Sequence, residues 1–394
     1  MEEDTPDRLV QCPLSAVGVD RDSATNIDDG NDVHGADACP STMKIFVHES
    51  ITGGGLGSSR IAPTLLGEGQ MMLEALVTDL LCLEEHQLLL LIDRRRVDRV
   101  PLHPRLRVVD LRGSYRQSYT DMVEEADATL PVAPETGGLL EELTAIVEAR
   151  GRFVLGSSSL GVKSTGDKAV AHQLLQASGI PTPVTHEVRH SDELVPLARQ
   201  LGYPVVVKPR DGVGCQSVFI ARGDGELQRA FATAKRETGQ DTQLLQSYVE
   251  GVHTSVSLLT DGMTCLPLTL NLQELGGRTR LRYHGGRVPL DHSLCPLAFR
   301  RAREVVRAIP GLMGYVGIDM VLTDRDAVVI EVNPRVTTSY VGLRKVLRSN
   351  PAALMLEAAR GNLPDPGEIE IVGTARFTTR STEGAGRRSA RWSA

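Results

Sequence analysis

The segment that most restricts how this chain can fold lies near its C-terminus. There VGIDMVL (316–322) is followed by TDRD and then by AVVIEVNPR (327–335). Two β-branched, apolar runs around a short polar turn read as a hairpin. Side chains two apart on a strand share a face and lie about 6.6 to 6.8 Å apart along it, so Glu331 and Asn333 form one oxygen-rich patch. Asp319 can stand opposite Glu331 only if paired residue numbers sum to an even value, which calls for a turn of odd length such as three or five residues. In that register the two Cβ atoms are about 4.5 to 5.5 Å apart, and the carboxylates repel unless a cation lies between them. Mg²⁺ suits such a patch, because it takes few protein oxygens and leaves its other positions to water and phosphate. The register therefore predicts a metal site of Asp319, Glu331 and Asn333, with Arg335 just behind it. The alternative is an even turn that sends Asp319 to the other face and leaves a strand whose polar side meets water.

Lysine is scarce, six of the 43 cationic residues, so its positions are informative. Lys208 ends the apolar run PVVVKP, where an ammonium is desolvated unless it meets an anion such as a nucleotide phosphate. The following RDGVGCQS supplies Gly212 and Gly214, which let backbone approach phosphate oxygens, and donors through Cys215, Gln216 and Ser217. Cys215 reads as a small loop residue rather than a nucleophile. Lys168 follows Asp167 at the start of an amphipathic helix that stops at Gly179, before Pro181 and Pro183, and is a second phosphate contact.

The rest of the chain is organised around these elements. At 394 residues it has room for two or three domains. Residues 1–42 carry ten Asp and Glu against two Arg, which accounts for the net charge of −7 and leaves the remainder near neutral. Bulk charge thus gives no reason to expect a nucleic-acid or membrane partner. The six cysteines are scattered without metal or disulfide spacing, and the acidic N-terminus lacks a signal-peptide pattern; a reducing cytoplasm fits. From Met43 the order strand, Gly-rich turn TGGGLGSS, helix, strand begins an open α/β sheet. A dinucleotide reading of that turn is weak, since a lone Gly-rich turn has little specificity. TSVSLLTDG and TCLPLTLN form an antiparallel pair with an Asp-Gly turn, and STEGAGRRSARWSA reads as a frayed tail.

Taken in order, DK (167–168), VVKP (206–209), a Gly loop, QSYVEG (246–251), an Asp-bearing strand and E-x-N-P-R resemble the ATP-grasp superfamily of carboxylate–amine ligases over about residues 44–360. FVHESITGGGL, YHGGRVPLDH and NPRVTTSYVGLRKV are similar to the tyramine–glutamate ligases of methanofuran biosynthesis. The resemblance implies an α/β chain that turns α+β in its C-terminal part. A disordered acidic extension (1–42) would precede an N-terminal parallel α/β domain (43–160), followed by a small central lid (161–250), a C-terminal antiparallel-sheet domain (251–375) and a tail (376–394). It implies Lys168 and Lys208 on ATP phosphates under a 212–217 lid, Tyr248 and Val249 as the adenine hinge, and Arg335 steadying the transferring group with Lys208. The family usually carries Glu where this chain has Gln246 and His253, which leaves the ribose contacts open. ATP and Mg²⁺, or Mn²⁺ in its place, are the implied cofactors. The implied partners are an amino acid and an amine, with a homodimer as an open alternative. Activation of a carboxylate as its acyl phosphate followed by amine attack needs positioning and charge neutralisation rather than a protein nucleophile. Glu49 is a candidate for the amine, Arg335 or Arg344 for a carboxylate, and Asp291, His292 and Tyr340 for the pocket wall; each could equally be a packing or surface residue. Competing readings are the same chemistry on another pair of substrates, or a nucleotide-binding regulator without turnover.

Overall fold

The computed structural model describes residues 42–379 apart from 56 and 58–61; all but the last residue of the expected acidic extension, and the chain from 380 on, lie outside the described residues. Three sheets follow one another along the chain. The first is built from β1 (Lys44–Glu49), α1 (Pro63–Leu81), β2 (Gln87–Ile92), β3 (Leu106–Asp110), α2 (Tyr115–Glu125), β4 (Ala128–Val132), α3 (Leu139–Ala149) and β5 (Phe153–Val154), followed by α4 (Ser159–Gly166) and α5 (Lys168–Ala177). All its pairings are parallel, in the order β3-β2-β1-β4-β5. Strands covered by helices on both faces must be apolar throughout, and β2 reads QLLLLI with Gln87 alone exposed. Strand order reverses between β1 and β4, which opens a crevice beyond their carboxyl ends. Glu49 closes β1 and Glu135 follows β4, so two carboxylates stand at that crevice.

The second sheet comprises β6 (Thr185–Val188), α6 (Ser191–Leu201), β7 (Val205–Pro209), β8 (Phe219–Ala221), α7 (Asp224–Thr238) and β9 (Gln243–Ser247), antiparallel in the order β6-β9-β7-β8. Its core, with Val205, Leu227, Phe231 and Leu245, is separate from the others, as a unit that can move as one body requires. The third sheet contains β10 (Val252–Thr260), β11 (Cys265–Gly276), β12 (Arg282–Val288), α8 (Cys295–Ala308), β13 (Gly314–Leu322), β14 (Ala327–Asn333), α9 (Tyr340–Val346), α10 (Pro351–Ala359) and β15 (Ala375–Thr378). Its order is β14-β13-β10-β11-β12-β15. Because β15 pairs with β12, residues 376–378 belong to the sheet and not to the tail expected from 376. One face of this sheet packs on α8, while a second cluster joins Leu73 and Leu76 of α1 to Tyr340, Leu343 and Leu356. First and third sheets are thereby fused through one core.

The β13–β14 hairpin corrects one expectation. Leu322 pairs with Ala327 across residues 323–326, an even turn that, continued in register, would place Asp319 on the wrong face. A bulge between Asp319 and Met320 intervenes: Met320 opposes Val329 while Asp319 opposes Glu331, so Ile330 is the extra residue. The required pairing therefore exists although the turn has the wrong parity for it.

Candidate active site

A cavity of about 220 Å³ lies between the second and third sheets and reaches the crevice of the first. Its third-sheet wall carries Asp319, Glu331 and Asn333. Gln273 donates to Asp319 Oδ1 at 2.9 Å. Burial, reinforced by the charge of Glu331, pushes the Asp319 carboxyl up to about 7, against the pull of the Asn333 and Gln273 hydrogen bonds. Two facing carboxylates of which one is driven toward neutrality fit a divalent cation held by hard oxygens.

The opposing wall is cationic. Lys168 Nζ lies 3.1 Å from Glu331 Oε1 and donates to the Gly212 carbonyl at 2.8 Å, so it ties the loop 212–217 to the acidic wall. Asp167 caps α5 by accepting from Ala169 N, and pairs with Arg210. Lys208 is buried at the end of β7, and its ammonium has neither a hydrogen bond nor an ion pair among the described residues; desolvation pulls it down to about 8. An ammonium in that state is a receptor for an anion. Between Pro209 and Val218 the backbone turns left-handed at Gly214, Cys215 and Ser217, with Gly212 also at positive φ, and Gln216 N and Val218 N donate to the Val213 and Cys215 carbonyls, so the loop is a series of tight turns over the cavity. Further along the cavity lie Gln246, Tyr248, Val249 and His253. Gln246 donates to Thr185 Oγ1 at 2.7 Å, and burial holds the His253 imidazole below its usual value and hence neutral.

Comparison with known proteins matches this geometry. The ATP-grasp domain family matches residues 165–339, and the pre-ATP-grasp domain family matches residues 86–162. Tyramine–L-glutamate ligase of Methanocaldococcus fervens is 30% identical over 284 residues, covering 71% of this chain and 84% of that protein. The chain belongs to the ATP-grasp ligases. A crystal structure of an ATP-grasp superfamily protein from Archaeoglobus fulgidus matches with a TM-score of 0.63 and 25% identity, over 84% of this chain and 91% of that one. The biotin carboxylase domain dimer of 2-oxoglutarate carboxylase from Hydrogenobacter thermophilus, solved with MgADP and bicarbonate, shares the fold at a TM-score of 0.67 and 17% identity, over 85% and 74% of the two chains. As an ATP-grasp member the protein is an ATP-dependent C–N ligase, related to the tyramine–glutamate ligases.

Several residues expected in the ATP-grasp pocket sit elsewhere. Ser217 lies in the loop but is fully buried, and its hydroxyl donates to Glu237 Oε2 at 2.7 Å, so it braces the loop from behind. Tyr340 and Arg344 do not line the cavity: the Tyr340 hydroxyl donates to Asp79 Oδ2 at 2.9 Å and Arg344 forks onto the same carboxylate at 2.6 to 3.0 Å. Both therefore clamp α9 to α1. Asp291 is exposed, and His292 accepts from Leu294 N at 3.2 Å in the turn before α8, away from the cavity. Glu49 does line it, but its carboxylate accepts from Ile51 N at 3.0 Å, Thr52 N at 2.8 Å and Thr52 Oγ1 at 2.7 Å. Desolvation raises its pKa against those bonds. Arg335 donates to Glu135 Oε2 at 3.0 Å and to the Val336 carbonyl at 3.1 Å, which ties the first sheet's crevice to the end of β14.

Sequence reasoning missed Glu68, Glu135, Gln273 and Tyr283. Glu135, Gln273 and Tyr283 announce themselves by no local motif, since their partners are distant in sequence. Glu68 had a signal, a lone carboxylate on an apolar helix face with Leu65 and Met72 at helical spacing.

Proposed function

We propose that this ATP-grasp ligase activates the γ-carboxylate of L-glutamate and joins it to tyramine or a similar aromatic amine, in the biosynthesis of a methanofuran-type cofactor. The observation that carries the reading is the unpartnered, buried ammonium of Lys208 facing the carboxylate pair Asp319–Glu331 across one cavity. The relation to the M. fervens tyramine–L-glutamate ligase supports the choice of substrates. The nucleotide would lie between the second and third sheets, with residues 161–250 as the lid between the 43–160 and 251–378 domains. Asp319, Glu331 and Asn333 would hold Mg²⁺, with Mn²⁺ as a substitute; such an ion neutralises phosphate charge. The loop 212–216 would cover the phosphates, and Tyr248, Val249 and Gln246 would receive the base. Lys208 and Lys168 orient the γ-phosphoryl group, and the glutamate carboxylate attacks it to give an acyl phosphate whose developing charge Arg335 faces. Amine attack on the carbonyl then expels phosphate and leaves the amide.

The test is ATP turnover by the purified protein with Mg²⁺, L-glutamate and a panel of amines that includes tyramine, products read by mass, beside Glu331→Ala. Amide formed only with the intact acidic wall is the expected result. Binding of ATP without amide from any pair would refute the ligase assignment of these substrates.

A further inference from the structure

The cavity holds one carboxylate that neither the phosphate side nor the acidic wall employs. Glu331 is engaged by Lys168, Asp319 by Gln273, Glu49 by the backbone and hydroxyl of its own turn, and Glu135 by Arg335. Glu68 lines the cavity from α1 and has no hydrogen bond or ion pair among the described residues. Its position is fixed closely. Gly69 lets α1 approach the end of β1 so tightly that a Cβ there would lie 2.6 Å from Glu49 Oε2. Glu68 Oε2 in turn lies 4.0 Å from where a Cβ on Gly214 would stand, so the carboxylate spans from the first sheet's helix to the phosphate loop. Leu65 and Met72, three residues before and four after, look into the same cavity, and Leu281 and Tyr283 face it from the third sheet. A single acid set in an apolar frame complements an ammonium carried on an apolar or aromatic body.

We infer that Glu68 is the residue that receives the ammonium group of the amine substrate and accepts its proton as the amine attacks, an inference that rests on the ligase reading above. The ammonium gives one proton to the Glu68 carboxylate. The freed nitrogen lone pair forms the bond to the acyl carbon, and the carbon–oxygen bond to phosphate breaks with its electron pair leaving on the phosphate. The surplus N–H proton departs with that phosphate, so the amide is neutral and the atoms balance. Burial lifts the Glu68 carboxyl to about 7, with Arg335 pulling it down, which matches a group that exchanges a proton near neutrality. The apolar frame restricts the substrate to primary amines whose bodies bury well, and disfavours polar amino acids as acceptors.

The test separates the two half-reactions in the full-length protein. Hydroxylamine, already neutral near pH 7, traps an acyl phosphate as the hydroxamate without needing a base, whereas tyramine arrives as an ammonium. With Mg²⁺, ATP and L-glutamate, Glu68→Gln should lower the ratio of amide to hydroxamate by about a hundredfold and raise KM for tyramine, the size expected for loss of a general base. Glu68→Asp, tested beside it, should recover part of that ratio. An unchanged ratio, or amide and hydroxamate falling together, would overturn the inference. Should the wild type make neither product, the ligase assignment fails on its own account, and calorimetric titration of tyramine into the complex with Mg²⁺ and a non-hydrolysable ATP analogue decides the matter. Binding weakened at least about tenfold by Glu68→Gln would sustain the amine site. Equal binding, or none to the wild type, would refute it.

Discussion

Replacing Asp319 by Asn should stabilise the metal-free protein while abolishing its chemistry. The Asp319 carboxyl is lifted from 3.8 to about 7, chiefly by burial and then by Glu331. A group raised in the folded state contributes stability that is fully present below its ordinary value and is lost as pH climbs through the folded one. At 1.36 kcal/mol per pKa unit, the whole lift corresponds to roughly 4 kcal/mol. Linkage then places the penalty of the wild type against Asp319→Asn at about 1.5 kcal/mol at pH 5 and about 4 kcal/mol at pH 8. Because Asp319 borders the cavity and water reaches one edge of it, these are ceilings. The assay is equilibrium urea unfolding of both proteins in EDTA at pH 5 and pH 8, with the gap between them as the observable. It should widen with rising pH, by at most about 2.5 kcal/mol. Mg²⁺ with an ATP analogue at a hundred times its Kd should then stabilise the wild type by about 2.7 kcal/mol and leave the variant unmoved. A gap that stays constant with pH, or a variant less stable at pH 8, would refute the claim that Asp319 and Glu331 are held together against their own repulsion.

Lys208→Met should cost turnover by about a hundredfold or more with the fold intact by circular dichroism, and ATP binding by the wild type should weaken roughly fivefold between pH 8 and pH 9 as the ammonium near 8 loses its proton. Isothermal titration across that pH range checks the second part. Asp79→Ala leaves the buried side of Arg344 and the Tyr340 hydroxyl without their acceptor and should lower stability by about 3 kcal/mol, with KM for the substrates little changed at permissive temperature. A large KM change would return Tyr340 and Arg344 to the pocket. Gly69→Ala pushes a methyl into Glu49 and should cost about 1 to 3 kcal/mol in thermal unfolding, since the carboxylate is held by its own turn and has little room to yield.

Which of these residues could be found from sequence follows from the range of the interaction that uses them. Glu331 and Asn333 were legible as one patch because strand alternation is a local rule, whereas Asp319 faces Glu331 only through the bulge at Ile330, which turn length alone does not reveal. Lys208 was legible because an ammonium at the end of PVVVKP is conspicuous without reference to anything else. The first sheet was legible from the order strand, Gly-rich turn, helix, strand that begins at Met43. Tyr340 and Arg344 were misplaced because their partner, Asp79, is more than 250 positions away and no local pattern names it. Arg335 and Glu135 are likewise joined across 200 positions. Ser217 was misread because sequence shows a hydroxyl among phosphate-loop residues but not the left-handed φ of 55° that accompanies its turning toward Glu237.

The bulge at Ile330 separates two properties that a regular hairpin would bind together, the length of the turn and the face on which Asp319 appears. In a regular ladder, gaining or losing one turn residue would swap inside for outside along a whole strand. Here one unpaired residue acts as a parity correction, so the turn and the acidic wall can change independently only if the correction changes with them. Ironing out the bulge with Ile330 retained would set Asp319 opposite Ile330 and silence the site without touching a single ligand, whereas deleting Ile330 itself would leave Met320 opposite Val329 and Asp319 opposite Glu331 in an unbroken ladder and keep it. Anyone transplanting this hairpin between ATP-grasp ligases must move turn and bulge as one piece.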